Sequence, residues 1–165
     1  MTTPTPKGTV TIDGDRATLS FTRRLPHPID AVWAAITEPE QRAAWFGRTT
    51  IDPREGGTIE MDPDDPPAAP ARKHMTGRIL AWDPPHVFEH EWRQPIVEDS
   101  VVRYELVADG DETILTFTHR GLGMRNAGGF VPGTHAYLDR LQAHLAGGAL
   151  PDWSRRYAEV QPAYT

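Results

Sequence analysis

Three side chains on strand-like segments carry groups suited to acid–base chemistry. His90 alternates with aromatic residues in the segment HVFEHEW, His119 ends the alternating segment TILTFTH, and Tyr104 lies on a third such segment between them. Side chains at every second position of a strand share one face, so each polar group should face the same way as its apolar neighbours. An imidazole or a phenol on an apolar wall can orient a ligand or transfer a proton. The same pattern also fits hydrogen-bonded wall residues, or residues at the rim, without a catalytic role.

The sequence offers little support for a metal site or for a nucleophilic catalytic residue. His86 and His90 have the spacing H-x-x-x-H, but four residues along a strand span about 13 Å, and one ion lies about 2.1 Å from each ligating nitrogen. We therefore predict no metal site. The chain has no cysteine, which excludes thiolate chemistry and disulfides. It also lacks a Gly-x-Ser-x-Gly elbow and a nucleotide-binding glycine loop, so we expect no acyl-enzyme and no cofactor.

The composition limits the partners. With 165 residues the chain fits a single domain, and we predict this domain over 9–165 after a flexible N-terminal tail over 1–8. The net charge of −6 argues against nucleic acid and against anionic membrane surfaces as partners. The start MTTPTPKGTV has no apolar run, and nothing approaches a membrane-spanning length. We expect a cytoplasmic protein.

The elements that would position these side chains form an α+β pattern. Alternation predicts strands over 16–25, 48–54, 57–61, 73–82, 86–93, 100–108 and 112–119. The apolar spacing of Ile29, Val32, Trp33 and Ile36 predicts a short helix, and a capping box at Thr37-Glu38-Pro39-Glu40 predicts a second one that Gly47 ends.

The C-terminal third of the chain predicts one long helix over 132–146. The glycine-rich residues 121–129 before it read either as a flexible entrance loop or as a plain connector. After the helix, Trp153, Tyr157 and Val160 have a spacing that predicts one or two helical turns.

Four segments together resemble a known family. LPHPIDAVWAAITEPEQRAAWFG, GRILAWDPPHVFEHEW, VRYELVADGDETILTFTHRGL and GTHAYLDRLQAHLAG resemble, in that order, homologues of the heat-shock-protein-90 ATPase activator, in the START-like or SRPBCC superfamily. The resemblance implies a helix-grip fold, in which a curved antiparallel sheet of about seven strands wraps the long C-terminal helix and two short helices plug one end. It also implies an apolar cavity between sheet and helix.

One position departs from the family. Family members often carry Trp near the start of the long helix, whereas here Thr134 follows Gly133. The smaller side chain leaves volume that another side chain or a ligand has to fill.

The resemblance implies that the protein binds a hydrophobic small molecule. The residues we predict to contact it are Trp45, Phe46, Met61, Met75, Phe88, His90, Trp92, Tyr104, Phe117, His119, Phe130, Thr134 and Leu138. One alternative is a cyclase- or aromatase-type enzyme that uses His90, His119 or Tyr104. Another is a chaperone-associated interaction domain. Strand edges and the aromatic C-terminal segment are compatible with a homodimer.

Overall fold

One antiparallel sheet of eight strands dominates the structure, a computed structural model that describes residues 5–164. The strands are β1 (Thr9–Asp13), β2 (Arg16–Leu25), β3 (Gly47–Ile51), β4 (Thr58–Pro63), β5 (Met75–Asp83), β6 (Val87–Trp92), β7 (Ser100–Asp109) and β8 (Glu112–Gly123). Their order in the sheet is β1-β2-β8-β7-β6-β5-β4-β3. The predicted α+β helix-grip fold is confirmed, with eight strands where about seven were expected.

Five helices and a final turn complete the described chain. The helices are α1 (Ile29–Thr37), α2 (Pro39–Trp45), α3 (Pro70–Lys73), α4 (Met124–Leu145) and α5 (Trp153–Val160), followed by a 3-10 turn at Gln161–Tyr164. Helix α4 packs on β2 and β8, and α1, α2 and α5 pack against α4 or the sheet. No helix within residues 5–164 is long and apolar enough to span a membrane.

The alternation of β2 shows how the sequence builds the inner face of the sheet. Every second side chain of this strand is buried, from Ala17 to Leu25, and the residues between them are exposed or half-buried. A strand places successive side chains on opposite faces, so the apolar set turns toward α4. Arg23 shares this buried face although it is charged.

Strand β1 is absent from the sequence-based prediction. All five of its residues are exposed, so burial imposes no alternation on them. Just before it, Lys7 donates to the carbonyl of Ala163 and the Gly8 N–H donates to the Tyr164 hydroxyl. The first four residues of the predicted tail, and Thr165, lie outside the described residues.

The predicted capping box of α2 is wrong. The N-cap of α2 is Glu38, and it makes no side-chain cap hydrogen bond. Thr37 is still the last residue of α1, and its hydroxyl donates back to the Trp33 carbonyl at 2.7 Å, a bond that Ser and Thr commonly make within a helix. At the other end of α2, Arg140 of α4 donates to the carbonyl of Trp45 at 3.0 Å.

The predicted entrance loop over 121–129 is also wrong, because α4 begins at Met124. The Glu98 carboxylate accepts the Gly123 N–H at 2.7 Å and the Asn126 side-chain amide at 3.1 Å. This carboxylate satisfies a free N–H at the helix start. Ala127 is also buried in the core. These tertiary contacts outweigh the low helix propensity of the glycines, which is about 1 kcal/mol each.

Candidate functional site

A pocket of about 540 Å³ lies between the inner face of the sheet, α4 and α5. Its apolar and aromatic wall consists of Trp45, Phe46, Pro63, Pro66, Trp92, Phe117, Phe130, Leu138 and Trp153, together with the rings of Tyr104, Tyr137 and Tyr157. Polar groups that line it are Asp65, Lys73, Gln94, His119, Arg125, Asn126 and Thr134.

Most of the predicted ligand-contacting residues line this one pocket. They are Trp45, Phe46, Trp92, Tyr104, Phe117, His119, Phe130, Thr134 and Leu138. Met61, Met75, Phe88 and His90 are fully buried and do not line it.

Helices α1 and α2 fill the space above these four residues. Trp33 of α1 packs on Phe88 with ring centroids 6.4 Å apart. Arg42 of α2 donates to the sulfur of Met61. The short helices thus cover part of the inner face, and Trp45 at the end of α2 borders the pocket.

His119 lies on the pocket wall with one ring nitrogen already bonded. Its Nε2 is 2.8 Å from the Ser100 hydroxyl oxygen, and its ring lies 5.1 Å from the ring of Trp92 and 5.4 Å from that of Phe130. Burial lowers the pKa of His119 to about 3, because an apolar environment disfavours the charged imidazolium. At neutral pH the pocket therefore contains a neutral imidazole here.

The contact between His119 and Ser100 is one that sequence reasoning missed. Ser100 and His119 lie 19 residues apart, on neighbouring strands β7 and β8. The signal available in the sequence was the hairpin between these strands, whose register places Val102 opposite His119. Counting back two residues along β7 puts Ser100 on the same face as His119.

Tyr104 lies one strand away from His119 on the same wall. Its side chain is only 5% exposed, and its ring stacks on Phe88 at 5.8 Å and packs edge-on against Phe117 at 5.1 Å. Within residues 5–164 its hydroxyl makes no hydrogen bond to the protein. The phenol is therefore held in place by its ring alone.

His90 does not join these two groups. Its Nδ1 donates to the Glu91 carbonyl at 2.8 Å, and its Nε2 is buried without a partner among the described residues. Burial lowers the pKa of His90 to about 4. Of the three acid–base candidates, the structure brings His119 and Tyr104 to the pocket and leaves His90 beneath its wall.

Tyr137 of α4 is hydrogen-bonded to the loop between β4 and α3, at the wall of the pocket. Its hydroxyl donates to the Asp65 carbonyl at 2.6 Å and accepts the Asp65 N–H at 3.0 Å. The ring packs on Phe46 at 4.7 Å. Burial raises the pKa of Tyr137 above its usual value, so the hydroxyl keeps its proton as a donor. The sequence marked this residue only as a neighbour of the apolar stripe.

Trp153 of α5 occupies space beside Gly133 and Thr134. This is the region where Thr134 replaces the Trp that family members often carry. Its indole N–H donates to the Gly133 carbonyl at 3.1 Å, and a Cβ built on Gly133 would lie 3.2 Å from the indole. The indole comes from a different helix, and it fills only part of the volume, since Thr134 still lines the pocket.

Metal ligands are not clustered in the described part of the chain. Within residues 5–164 no group of three or more His, Asp or Glu side chains is arranged to hold an ion. His86 is exposed just before β6, whereas His90 is buried within it.

Comparison with known proteins gives one family and several similar structures. A family model described as Activator of Hsp90 ATPase homolog 1-like protein matches residues 26–146. The crystal structure of CalU16 from Micromonospora echinospora is 25% identical, with a TM-score of 0.74 over 96% of this chain and 92% of that chain. A protein encoded by gene BPP1335 of Bordetella parapertussis is 28% identical, with a TM-score of 0.74 over 99% and 94%.

A more distant structure shares the fold alone. DynU16, described as a protein in the dynemicin biosynthetic locus, is 20% identical, with a TM-score of 0.68 over 81% of this chain and 48% of that chain. Among curated proteins, none matches this sequence significantly.

Proposed function

The chain belongs to the Activator of Hsp90 ATPase homolog 1-like family, and we propose that it binds a hydrophobic small molecule between the sheet and α4. The observation that carries this proposal is the pocket of about 540 Å³ with its aromatic wall. Ligand pockets in proteins typically measure about 300–1,000 Å³ and combine an apolar lining with a few polar groups. A bound apolar molecule would remove this aromatic wall and its own surface from water, which is favourable.

Blocking the pocket tests this function. Thr134→Trp introduces an indole into the pocket wall, and we expect it to weaken binding of an apolar probe such as 2-methylnaphthalene more than tenfold. Thr50→Trp adds the same side chain at an exposed position of β3, and it should leave binding unchanged. Titration followed by amide and indole NMR shifts measures both affinities and shows whether Trp92 and Trp153 respond.

Native mass spectrometry of the purified protein provides an independent measurement. We expect an added mass that disappears on denaturation and is absent from the Thr134→Trp variant. A wild-type protein that carries no such mass and binds no apolar probe at millimolar concentration would overturn the proposal.

The placement of His119 and Tyr104 on one pocket wall supports a second candidate, an enzyme of the cyclase, dehydratase or aromatase type. The Ser100 hydroxyl, 2.8 Å from His119 Nε2, orients the imidazole, as a partner does for a general base. With a poly-β-ketone substrate, we expect Tyr104→Phe and His119→Gln to lower turnover at least tenfold while binding persists. Turnover within twofold of wild type in both variants would exclude this chemistry.

A further inference from the structure

Two polar groups on the pocket wall have no protein partner for part of their hydrogen-bonding capacity. The Tyr104 hydroxyl makes no hydrogen bond within residues 5–164, although its side chain is 95% buried. His119 is 1% exposed, and its bond to Ser100 uses Nε2, so Nδ1 is left without a partner in the same part of the chain. Neither atom is among the fully buried polar atoms that lack a partner, so the unused hydrogen-bonding capacity of both faces the pocket, where a ligand or water can satisfy it.

The two groups lie close enough to contact one ligand. Tyr104 of β7 pairs with Phe117 of β8, and His119 follows two residues later on the same strand and face. Diagonal neighbours of this kind have Cβ atoms separated by about 7–8 Å or somewhat less. Both side chains line the pocket, so a substituent of one or two atoms fits between the phenol and the imidazole.

Among the described residues, three charged side chains line the pocket, and none lies on the strands that carry Tyr104 and His119. Asp65 and Lys73 lie between β4 and β5, and Arg125 lies in the first turn of α4. The imidazole of His119 is neutral, and Thr134 and Tyr137, the polar residues that α4 contributes to the pocket wall beyond its first turn, carry hydroxyls. Burying a carboxylate or an ammonium beside neutral groups is far less favourable than burying a neutral oxygen that is hydrogen-bonded. The ligand group here is therefore uncharged.

Aromatic rings surround the same two groups. The rings of Trp92 and Phe130 lie 5.1 Å and 5.4 Å from His119, and the ring of Phe117 lies 5.1 Å from Tyr104. Aromatic rings pack favourably on one another in stacked and edge-on arrangements at such distances. The surroundings favour a ligand that is itself aromatic.

We propose that the pocket takes an aromatic ligand with a neutral hydroxyl or carbonyl oxygen, which hydrogen-bonds the Tyr104 hydroxyl and His119 Nδ1. This inference rests on the proposed binding function and specifies the class of ligand. A phenol suits the site because its hydroxyl both donates and accepts, and an aryl ketone suits it as an acceptor.

The test compares two probes of nearly equal size, 2-naphthol and 2-methylnaphthalene. The measured quantity is the ratio of their dissociation constants, determined by NMR titration in each variant. We expect Tyr104→Phe to reduce the advantage of the naphthol about 3- to 10-fold, in line with the loss of one hydrogen bond. His119→Phe is the second variant, and it should act in the same direction if Tyr104→Phe fails to fold.

Tyr137→Phe is the matched control. It also removes a tyrosine hydroxyl from the pocket wall, but that hydroxyl is already bonded to the backbone of Asp65. We expect it to change the affinity for both probes equally and to preserve their ratio. A ratio that is the same in wild type, Tyr104→Phe and His119→Phe overturns the inference. A Tyr137→Phe variant whose ratio falls as far as that of Tyr104→Phe also overturns it. In either case, binding of the apolar probe leaves the proposed function standing. If neither probe binds the wild type, both fail.

Discussion

Asp139 of α4 is a buried carboxylate that forms ion pairs with two arginines. It is 7% exposed and accepts from Arg23 Nη1 at 2.8 Å and from Arg156 Nε at 2.6 Å. His135 Nε2 lies 3.5 Å from the same carboxylate. One carboxylate therefore serves two guanidinium groups, and Arg23 Nε and Nη2 have no partner among the described residues. Desolvation lowers the pKa of Arg23, because burial disfavours the charged guanidinium.

Removal of this carboxylate should destabilise the fold strongly. Asp139→Asn leaves the buried guanidinium of Arg23 without its acidic partner, whereas Arg156 keeps its ion pair with Glu159 at 3.2 Å. Breaking a buried pair in this way typically lowers the free energy of unfolding by about 3–5 kcal/mol. Asp109→Asn is the matched control, because Asp109 pairs with Arg24 at the same 2.8 Å but both side chains are more than half exposed. It should change the free energy by less than about 1 kcal/mol. Urea denaturation measures both, and equal effects would contradict the argument.

The sequence predicts which face Arg23 occupies but not what it contacts. Alternation placed it with Ala17, Leu19 and Phe21, and the structure confirms this. Its partner Asp139 lies 116 residues away on a helix whose rotation relative to β2 no local pattern encodes. The same limit applies to Ser100 and His119, which become partners only through the register of two strands.

At the scale of elements, strands were predicted better than helix ends. Strand β2 has the predicted bounds, 16–25, in the structure. In a half-buried strand every second residue is apolar, and this alternation can be recognised in the sequence. Helix α4 begins eight residues before its predicted start, because Glu98, from the segment between β6 and β7, binds the Gly123 N–H and the Asn126 side chain at its N-terminus. Contacts between elements decide such boundaries, whereas propensity within the element does not.

Helix α4 carries glycines that its helical conformation does not need. Gly128 is exposed, and a Cβ added there meets no atom within 4 Å. Gly128→Ala should raise the free energy of unfolding by about 0.5–1 kcal/mol, the usual difference between these residues inside a helix. Thermal unfolding detects this as an increase in Tm.

Gly133→Ala in the same helix provides the comparison. Its added Cβ would lie 3.2 Å from the Trp153 indole, so any gain in helix propensity is offset by displacement of α5. We expect Gly133→Ala to be less stable than Gly128→Ala. The reverse order would show that α5 does not pack on α4 as the structure has it.

At the scale of the whole molecule, the buried histidines couple folding to pH. His90 and His119 are almost completely buried, and desolvation lowers their pKa values to about 4 and about 3. The pKa of His135 is likewise lowered by burial, to about 4. In the unfolded chain histidine titrates near 6.5. Between these values the unfolded state binds protons that the folded state does not, so acid favours unfolding.

Above pH 6.5 these histidines should therefore have little effect on the free energy of unfolding. Below pH 6.5 they should make the free energy of unfolding decrease as the pH falls. Each buried histidine contributes a slope of up to about 1.4 kcal/mol per pH unit between about pH 6 and its folded-state pKa. Urea denaturation at pH 7, 6 and 5 measures the total slope.

His90→Phe removes one titrating group and should reduce the slope near pH 5 by about 1.4 kcal/mol per pH unit. His86→Gln alters an exposed side chain and should leave the slope as it is. A His90→Phe variant with the wild-type slope would mean that this imidazole is accessible to protons in the folded protein, and that the inner face of β6 is not sealed by α1 and α2.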